Sequence, residues 1–309
     1  MNKIICFCVF ICFLSIKSNA QSISENSSNK NKALFNETML LQNIKTLSSD
    51  AFEGRRTGTK GANKAKEYIA NQFYHLNVLP LGGKFEQSFY FSSKGKSYNG
   101  TNVLGLIKGT ESNEKYIIIS AHYDHEGIKK GLIYNGADDD ASGVSALISF
   151  AEFFKNNPPK HSVILAAFDA EELGLQGSKY FVNNSIVPLN KIMVNLNMDM
   201  ISRSDTNELF AVGARFNKTL EDVILNFKQS KTVKLIAGHD GMDGLEDWTD
   251  SSDHASFHKK GISFIYFGVD DHVDYHMPTD DYENIQPEFY KESVKIIMEV
   301  CNKIDKLNF

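Results

Sequence analysis

The sequence predicts an α/β protein with a mixed, mostly parallel β-sheet and helices on both faces. Three short runs of β-branched and aliphatic residues are typical of buried parallel strands: 116–121, 162–168 and 191–196. Amphipathic helical patterns separate these runs, and alternation of strand and helix favours this architecture. With 309 residues, of which 42% are hydrophobic, the chain is long enough for one large domain or two modest ones. We expect a single domain.

The first 32 residues differ from the rest of the chain. Lys3 precedes an apolar run, 4–16, and Ala20 ends a stretch of small residues, so residues 1–20 are interpreted as a signal peptide that is cleaved after Ala20. An uncleaved anchor is the alternative, although the run is short for a membrane span. Residues 21–32, rich in Ser, Asn and Lys, predict a disordered leader before a domain over 33–309. We therefore expect a secreted or periplasmic protein.

Cysteine usage and charge limit the function classes. Cys6, Cys8 and Cys12 lie in the predicted signal peptide, which leaves Cys301 alone and allows no internal disulfide in the mature chain. Cleavage would also change the formal charge from −5 to −7, with 31 basic against 38 acidic residues. An acidic protein of this kind is not expected to bind nucleic acid.

The elements are predicted in chain order from periodicity and turn residues. Helices are expected over 36–47, 61–76, from Gly143, over 173–182 and 217–228, and from Pro287, where Cys301 lies on the apolar stripe. Strands are expected over 85–91 and 102–107, as a meander at one sheet edge, and then over 116–121, 162–168, 191–196, 208–212, 233–237 and 262–267. Two polar loops, 238–253 and 270–281, remain.

Side chains that can bind metal follow several of these strands. Five candidate ligands stand at the ends of separate strands or in the loops beyond them: His122, Asp139, Glu172, Asp199 and His276. Imidazole and carboxylate groups without thiolates suit a catalytic zinc site. The run of three aspartates could instead form a solvated turn or a helix N-cap, and Glu171-Glu172 an acidic first helical turn.

The number of candidate ligands favours two metals over one. Two histidines and three carboxylates exceed the needs of one ion, whereas two ions that share one bridging aspartate would use all five. Such a pair lowers the pKa of a shared water and polarises a carbonyl. A further carboxylate is needed to carry the proton, and Glu171 lies next to a candidate ligand.

Six motifs carry a resemblance to a known family. AHYDH, NGADDDASG, FDAEELGLQGS, NMDMI, SDHASF and YHMPTDD resemble the secreted di-zinc aminopeptidases of the clan MH zinc peptidases, in family order, and the match runs from about Leu47 to the C-terminus. The same superfamily includes glutamate carboxypeptidases, glutaminyl cyclases and the transferrin receptor ectodomain. The resemblance implies a zinc aminopeptidase-like fold and peptide substrates with a free N-terminus.

The resemblance also implies a role for each residue. One zinc would be held by His122 and Asp199 and the other by Glu172 and His276, with Asp139 as the bridge and Glu171 as the general base. Asp124 would orient His122, Tyr275 would hydrogen-bond the developing oxyanion, and the Asp139–Asp140 peptide bond would be cis. The remaining histidines near the motifs, His125, His239, His258 and His272, are interpreted as bystanders, and no role is assigned to Asp253, His254 or Arg203.

Three alternatives stay open at this point. A glutaminyl-peptide cyclotransferase with one zinc shares the fold, as does a non-catalytic ectodomain, although members of that kind have lost ligands. A dipeptidase or carboxypeptidase of the same superfamily is the third alternative.

Overall fold

The computed structural model describes Met1 and residues 33–307. The predicted signal peptide, apart from Met1, and the predicted leader lie outside the described residues, so both stay predictions. All elements below belong to the compact unit that begins at Leu34. Among the described residues, no helix is long and apolar enough to cross a membrane.

Seven α-helices occur in the described part of the chain. They are α1 (Glu37–Leu47), α2 (Lys60–His75), α3 (Gly143–Asn156), α4 (Gln176–Asn183), α5 (Lys218–Leu225), α6 (His254–His258) and α7 (Pro287–Asp305). Side-chain caps explain several of the starts: Asn36 accepts hydrogen bonds from the first turn of α1, Thr59 from that of α2 and Asn217 from that of α5. Proline at the first position begins α7.

One large mixed sheet forms the centre of the fold. Its strands are β1 (Leu79–Pro80), β2 (Glu86–Ser93), β3 (Lys96–Ile107), β4 (Ser112–His122), β7 (His161–Phe168), β8 (Ile192–Met198), β9 (Glu208–Val212), β10 (Lys234–Ala237) and β11 (Ser263–Gly268). The order is β1-β3-β7-β4-β8-β11-β9-β10, with β2 paired to β3. The four central strands, β7-β4-β8-β11, are parallel, and the antiparallel pairs lie toward the edges.

Helices cover both faces of this sheet, as predicted. Alternate residues of a strand point to opposite faces, and Ile117 and Ile119 of β4 join the core packed under α1, α2, α3 and α7, whereas Ile118 joins the core packed under α4 and α6. Cys301 is fully buried in the first of these cores, which confirms that it is a core residue. The predicted α/β architecture is confirmed.

The structure corrects four local predictions. A two-stranded hairpin, β5 (Gly127–Lys129) and β6 (Leu132–Tyr134), lies between β4 and the three aspartates, where no strand was predicted. The α4 helix begins at Gln176 rather than at residue 173, because residues before it form a turn with left-handed backbone at Ala170 and Leu175. The α5 helix ends at Leu225 instead of residue 228, and α6 is an additional short helix.

Candidate metal centre

Two of the candidate ligands stand at the carboxyl ends of neighbouring parallel strands. His122 is the last residue of β4, and Asp199 directly follows β8, which pairs with β4. Because the carboxyl ends of parallel strands meet at one edge of a sheet, the two side chains converge. His122 Nε2 lies 3.3 Å from Asp199 Oδ1 and 3.2 Å from Asp139 Oδ1. We call His122, Asp199 and Asp139 Oδ1 the first half-site.

The three consecutive aspartates are buried and have different partners. Asp138 accepts hydrogen bonds from the backbone and hydroxyl of Ser202, while Asp140 accepts them from the backbone of His122 and Gly143. The Asp139 carboxylate faces the histidines instead. The solvated-turn interpretation is therefore wrong. The Asp139–Asp140 peptide bond is cis, as the resemblance implied.

The other two candidate ligands come from loops. Glu172 lies in the turn after β7, and His276 lies in the loop after β11. His276 Nε2 lies 3.1 Å from Asp139 Oδ2 and 3.3 Å from Glu172 Oε2. Asp139 thus presents one carboxylate oxygen to each histidine. We call Glu172, His276 and Asp139 Oδ2 the second half-site.

His125, which was interpreted as a bystander, also lies in this region. Its Nδ1 lies 2.8 Å from Glu172 Oε1 and 3.6 Å from Asp139 Oδ2. Within the described residues, the groups that could hold a metal are His122-Asp139-Asp199, His125-Asp139-Glu172 and Glu126-Glu172-His276. His239, His258 and His272 are in none of these groups.

These distances fit tetrahedral coordination. With metal–ligand bonds of about 2.0–2.2 Å, neighbouring ligand atoms around a tetrahedral zinc lie roughly 3.3–3.5 Å apart. The four contacts of His122 and His276 with carboxylate oxygens measure 3.1–3.3 Å. Imidazole and carboxylate donors without thiolates also suit zinc. The residues present therefore fit two zinc positions that share Asp139.

The electrostatics indicate a centre with excess negative charge. Burial alone lowers the pKa of His122, but the charge of Asp199 and the neighbouring carboxylates outweighs burial and raises that pKa well above its ordinary value. Burial and Asp139 raise the pKa of Glu172, yet contacts with His125 and His276 outweigh them and lower it to about 2. Positive charge at the centre stabilises the ionised carboxylates.

Glu171 lies beside the cluster without joining a ligand group. It lies in the turn before α4, so the interpretation of Glu171 and Glu172 as a first helical turn is wrong. Burial, and then the charge of Asp199, raises the pKa of Glu171 well above its ordinary value, against the opposing effect of His122. Glu171 is therefore a half-buried carboxyl group with a high proton affinity, in the same cleft as both half-sites.

Asp124 lies beside His122, and its backbone and its carboxylate have different contacts. His122 Nδ1 lies 3.1 Å from the backbone oxygen of Asp124, closer than the 3.7 Å to its carboxylate. With Nε2 facing the half-site, Nδ1–H donates to that backbone oxygen and orients the ring. The Asp124 carboxylate instead accepts hydrogen bonds from the backbone N–H groups of Glu171, at 3.0 Å, and Glu172, at 3.4 Å. It therefore holds the turn that carries both glutamates.

A cleft opens over the two half-sites. Its floor is formed by His122, Asp139, Glu171, Glu172, Asp199 and His276, its walls by Met200, Trp248, Ser251, Tyr266, Val269 and Tyr275, and its rim by Glu246 and Asp271. The ring of Tyr275 stacks on that of His276 with centroids 4.0 Å apart. Burial and the charge of Asp139 raise the pKa of Tyr275, so its hydroxyl keeps its proton.

Sequence reasoning missed a second tyrosine in this cleft. Tyr266 lies in β11, and its hydroxyl donates to the backbone oxygen of Asp199 at 3.4 Å. Nothing in the strand pattern distinguishes Tyr266 from a core aromatic residue. Trp248, Glu246 and Asp271 were also not singled out, although the polar loops that carry them were.

Asp253 and His254, to which the sequence assigned no role, are both buried. Asp253 precedes α6, a position that would suit a helix N-cap, but its carboxylate is buried without a hydrogen-bond partner and does not cap the helix. His254 Nε2 lies 2.9 Å from the backbone oxygen of Trp248, and its ring stacks between Phe264 and Tyr266. Burial lowers the pKa of His254 to about 4, so this imidazole is neutral at pH 7.

Arg203 lies away from the ligand groups. It forms an ion pair with Asp274, in the loop that carries His276. Its contact therefore connects the segment after Asp199 to that loop.

The sequence matches a family model and is similar to a curated protein. Residues 102–301 match the family model described as Peptidase family M28. Aminopeptidase YwaD of Bacillus subtilis is 30% identical over 208 residues, which is 63% of this chain and 43% of that protein. The chain therefore spans less than half the length of this curated relative.

Two solved structures are similar over most of the described fold. BSAP, a zinc aminopeptidase from Bacillus subtilis, superposes with a TM-score of 0.70 at 18% identity and covers 90% of this chain and 98% of its own. Porphyromonas gingivalis glutaminyl cyclase superposes with a TM-score of 0.71 at 15% identity and covers 88% of this chain and 100% of its own. At these identities the similarity concerns the fold alone. Because the family model covers more than half of the chain, the protein belongs to peptidase family M28.

Proposed function

We propose that the protein is a secreted di-zinc aminopeptidase that removes the N-terminal residue of peptides. One observation carries the proposal: Asp139 directs one carboxylate oxygen to His122 and the other to His276. One zinc would be held by His122 and Asp199, the other by Glu172 and His276, with Asp139 as the bridge. The similarity to a zinc aminopeptidase from Bacillus subtilis supports the choice of metal.

Glu171 would act as the general base. When bound, two zinc ions lower the pKa of a shared water and polarise the substrate carbonyl. Glu171 lines the floor of the same cleft and has a raised pKa, so its carboxylate is suited to accept a proton from water and to pass it to the leaving amine. The protonated hydroxyl of Tyr275 would hydrogen-bond the carbonyl oxygen as negative charge develops there.

The charge of the cleft favours a free amine over a free carboxylate. The rim carries Glu246 and Asp271, and the described residues that line the cleft include no Lys or Arg. Carboxylates at the rim attract the cationic α-amine of a peptide, whereas a carboxypeptidase needs a cation for the terminal carboxylate. This charge pattern supports an aminopeptidase over a carboxypeptidase.

Hydrolysis of aminoacyl anilides, beside their N-acetylated versions and C-terminally blocked peptides, tests the proposal. We expect cleavage of the free and C-blocked substrates, no cleavage of the acetylated ones, about two zinc ions per active chain, and loss of activity with a chelator. Equal rates on acetylated substrates would exclude an aminopeptidase. Full activity with one zinc, together with cyclisation of N-terminal glutamine, would favour the cyclase instead.

Secretion is tested separately. Mass spectrometry of protein collected outside the cytoplasm is expected to find a chain that starts at Gln21. A chain that retains residues 1–20 in a membrane fraction would favour the uncleaved anchor.

A further inference from the structure

The second half-site contains a histidine that the proposed set of five ligands leaves out. His125 is fully buried, and neither of its ring nitrogens has a hydrogen-bond partner. A buried imidazole nitrogen without a partner is unfavourable. An imidazole in this environment therefore needs either a proton acceptor or a metal.

His125 and Glu172 belong, with Asp139, to one group of residues that could hold a metal. His125 Nδ1 lies 2.8 Å from Glu172 Oε1, close enough for an ion pair, yet neither atom meets the criteria for a hydrogen bond. Asp139 Oδ2 lies 3.6 Å from the same nitrogen. The ligand atoms of these three residues all lie within 4.8 Å of one another.

The position of His276 is consistent with the same ion. The rings of His125 and His276 have centroids 5.9 Å apart and are tilted by 55°. Two imidazoles bound to one zinc through bonds of about 2.0–2.1 Å have centroids roughly 5–6 Å apart. The two rings can therefore face one metal between them.

The local backbone leaves room for this ring. A Cβ atom at Gly136 would lie 2.5 Å from His125 Cδ2, so only glycine permits the packing. Gly136 also has a left-handed backbone, with φ of 57°. Gly136 comes three residues before Asp139, so the segment that carries the bridging carboxylate also accommodates His125.

Glu126 is a weaker candidate for an additional ligand. It shares a ligand group with Glu172 and His276. However, ion pairs with Arg56, at 3.1 Å, and with Lys129 already compensate its charge. The ion-pair contacts of His125 are instead with Asp139 and Glu172, which are themselves candidate ligands.

We propose that His125 is a further protein ligand of the second metal position and binds through Nδ1. The inference rests on the proposed di-zinc function and deepens it. The second position would then have four protein residues, His125, Asp139, Glu172 and His276, and the first would have three. The two metal positions are therefore unequal.

NMR of the wild-type protein loaded with two Co²⁺ ions tests the proposal without a variant. Each coordinated imidazole retains one exchangeable N–H, which the paramagnetic ion shifts strongly. We expect three such signals, from His122, His125 and His276. Two signals with two ions bound would overturn the role of His125 alone, whereas binding of fewer than two ions by the wild type would contradict the proposed function.

Zinc affinity of His125→Gln provides a second measurement. In zinc-buffered dialysis we expect the second zinc to bind more than about 100-fold more weakly. Removal of a residue that only hydrogen-bonds to a ligand lowers metal affinity roughly 10–100-fold, and removal of a ligand itself should lower it further. His239→Gln is the matched control, since His239 is also buried with an unpartnered Nε2 but lies outside the ligand groups. Unchanged affinity would overturn the proposal. If His125→Gln does not fold, the wild-type NMR count decides.

Discussion

The two half-sites are built in different ways. In the first, His122 and Asp199 stand at the ends of paired central strands, and their side chains are 1% and 10% exposed. In the second, Glu172 and His276 lie on turns with left-handed backbone at Ala170 and at His276 itself, and the His276 side chain is 37% exposed. Sheet pairing positions the first half-site, whereas loop conformation positions the second.

The loop of the second half-site is fixed on both sides of His276. Before it, His272 Nε2 lies 3.0 Å from Asp138 Oδ2. After it, the Asp280 carboxylate accepts hydrogen bonds from the backbone of Asp138, at 2.9 Å, and of Asp139, at 3.1 Å. The loop is thus attached to the segment that carries the bridging aspartate. A ligand on an exposed loop can be positioned well when its anchors are buried.

Variants of the ligands are expected to produce the largest effect and to separate the half-sites. Asp139→Asn affects both positions, so we expect both zinc ions to be lost. Activity is expected to fall by more than about 10⁴-fold, as when a catalytic unit is removed. Asp199→Asn and Glu172→Gln each remove an anionic ligand from one half-site and are expected to weaken one zinc. Metal analysis beside turnover measures this. Retention of both ions by Asp139→Asn would contradict the shared ligand.

Glu171→Gln is expected to lower kcat by about 10²–10⁴-fold, because the amide cannot accept the proton. Both zinc ions should remain bound, since Glu171 belongs to neither half-site. Glu172→Gln is the matched control, with the same chemical change one residue along the chain. If Glu171→Gln loses a zinc and Glu172→Gln keeps both, the roles are reversed; if both keep metal and activity, the pair has no catalytic role.

Tyr275→Phe is expected to lower kcat by about 10²–10³-fold with little change in zinc content, since it removes one hydrogen-bond donor to the developing oxyanion. Tyr266→Phe is the matched control in the same cleft, and we expect less than about a 10-fold effect. Tyr275 adjoins the second half-site and Tyr266 the first. If steady-state kinetics show a larger loss of kcat for Tyr266→Phe than for Tyr275→Phe, Tyr266 is the hydrogen-bond donor.

His254, whose ring stacks on that of Tyr266, is expected to have a smaller, pH-dependent effect on stability. His254 has a pKa of about 4 when folded against 6.5 as a free group. Below pH 6.5 the unfolded chain binds a proton that the folded chain does not. The free energy of unfolding is therefore expected to decrease by about 3 kcal/mol as the pH is lowered from 6.5 to 4. His254→Phe keeps the aromatic stack and removes this dependence. Urea unfolding of both proteins measures the difference, and parallel pH profiles would refute it.

Much of the fold could be predicted because it depends on local patterns. The strand over 208–212 has the predicted bounds, and the first helix begins one residue after its predicted start because Asn36 is its cap. The α4 boundary could not be predicted in this way. Its first predicted turn is replaced by a tight turn whose conformation depends on hydrogen bonds to Asp124, a residue distant in the chain.

Some residues of the candidate site could be predicted from the sequence, and others could not. Hydrophobic runs followed by histidine or carboxylate residues were enough to select His122 and Asp199, because strand pairing brings strand ends together. The sequence could not include His125, because its place depends on how Gly136 packs against the ring and on where Glu172 lies. Tyr266 was missed because nothing in the strand pattern distinguishes it from a core aromatic residue.

The sequence by itself determined the order of strands and helices along the chain and the kinds of side chain available for metal. These follow from backbone propensity and hydrophobic periodicity, which act over a few residues. Only the tertiary structure decided which oxygen of Asp139 faces which histidine, and that the backbone oxygen of Asp124 lies closer to His122 than its carboxylate does. Such distances depend on packing between segments far apart in the chain, where a shift of one ångström changes the partner.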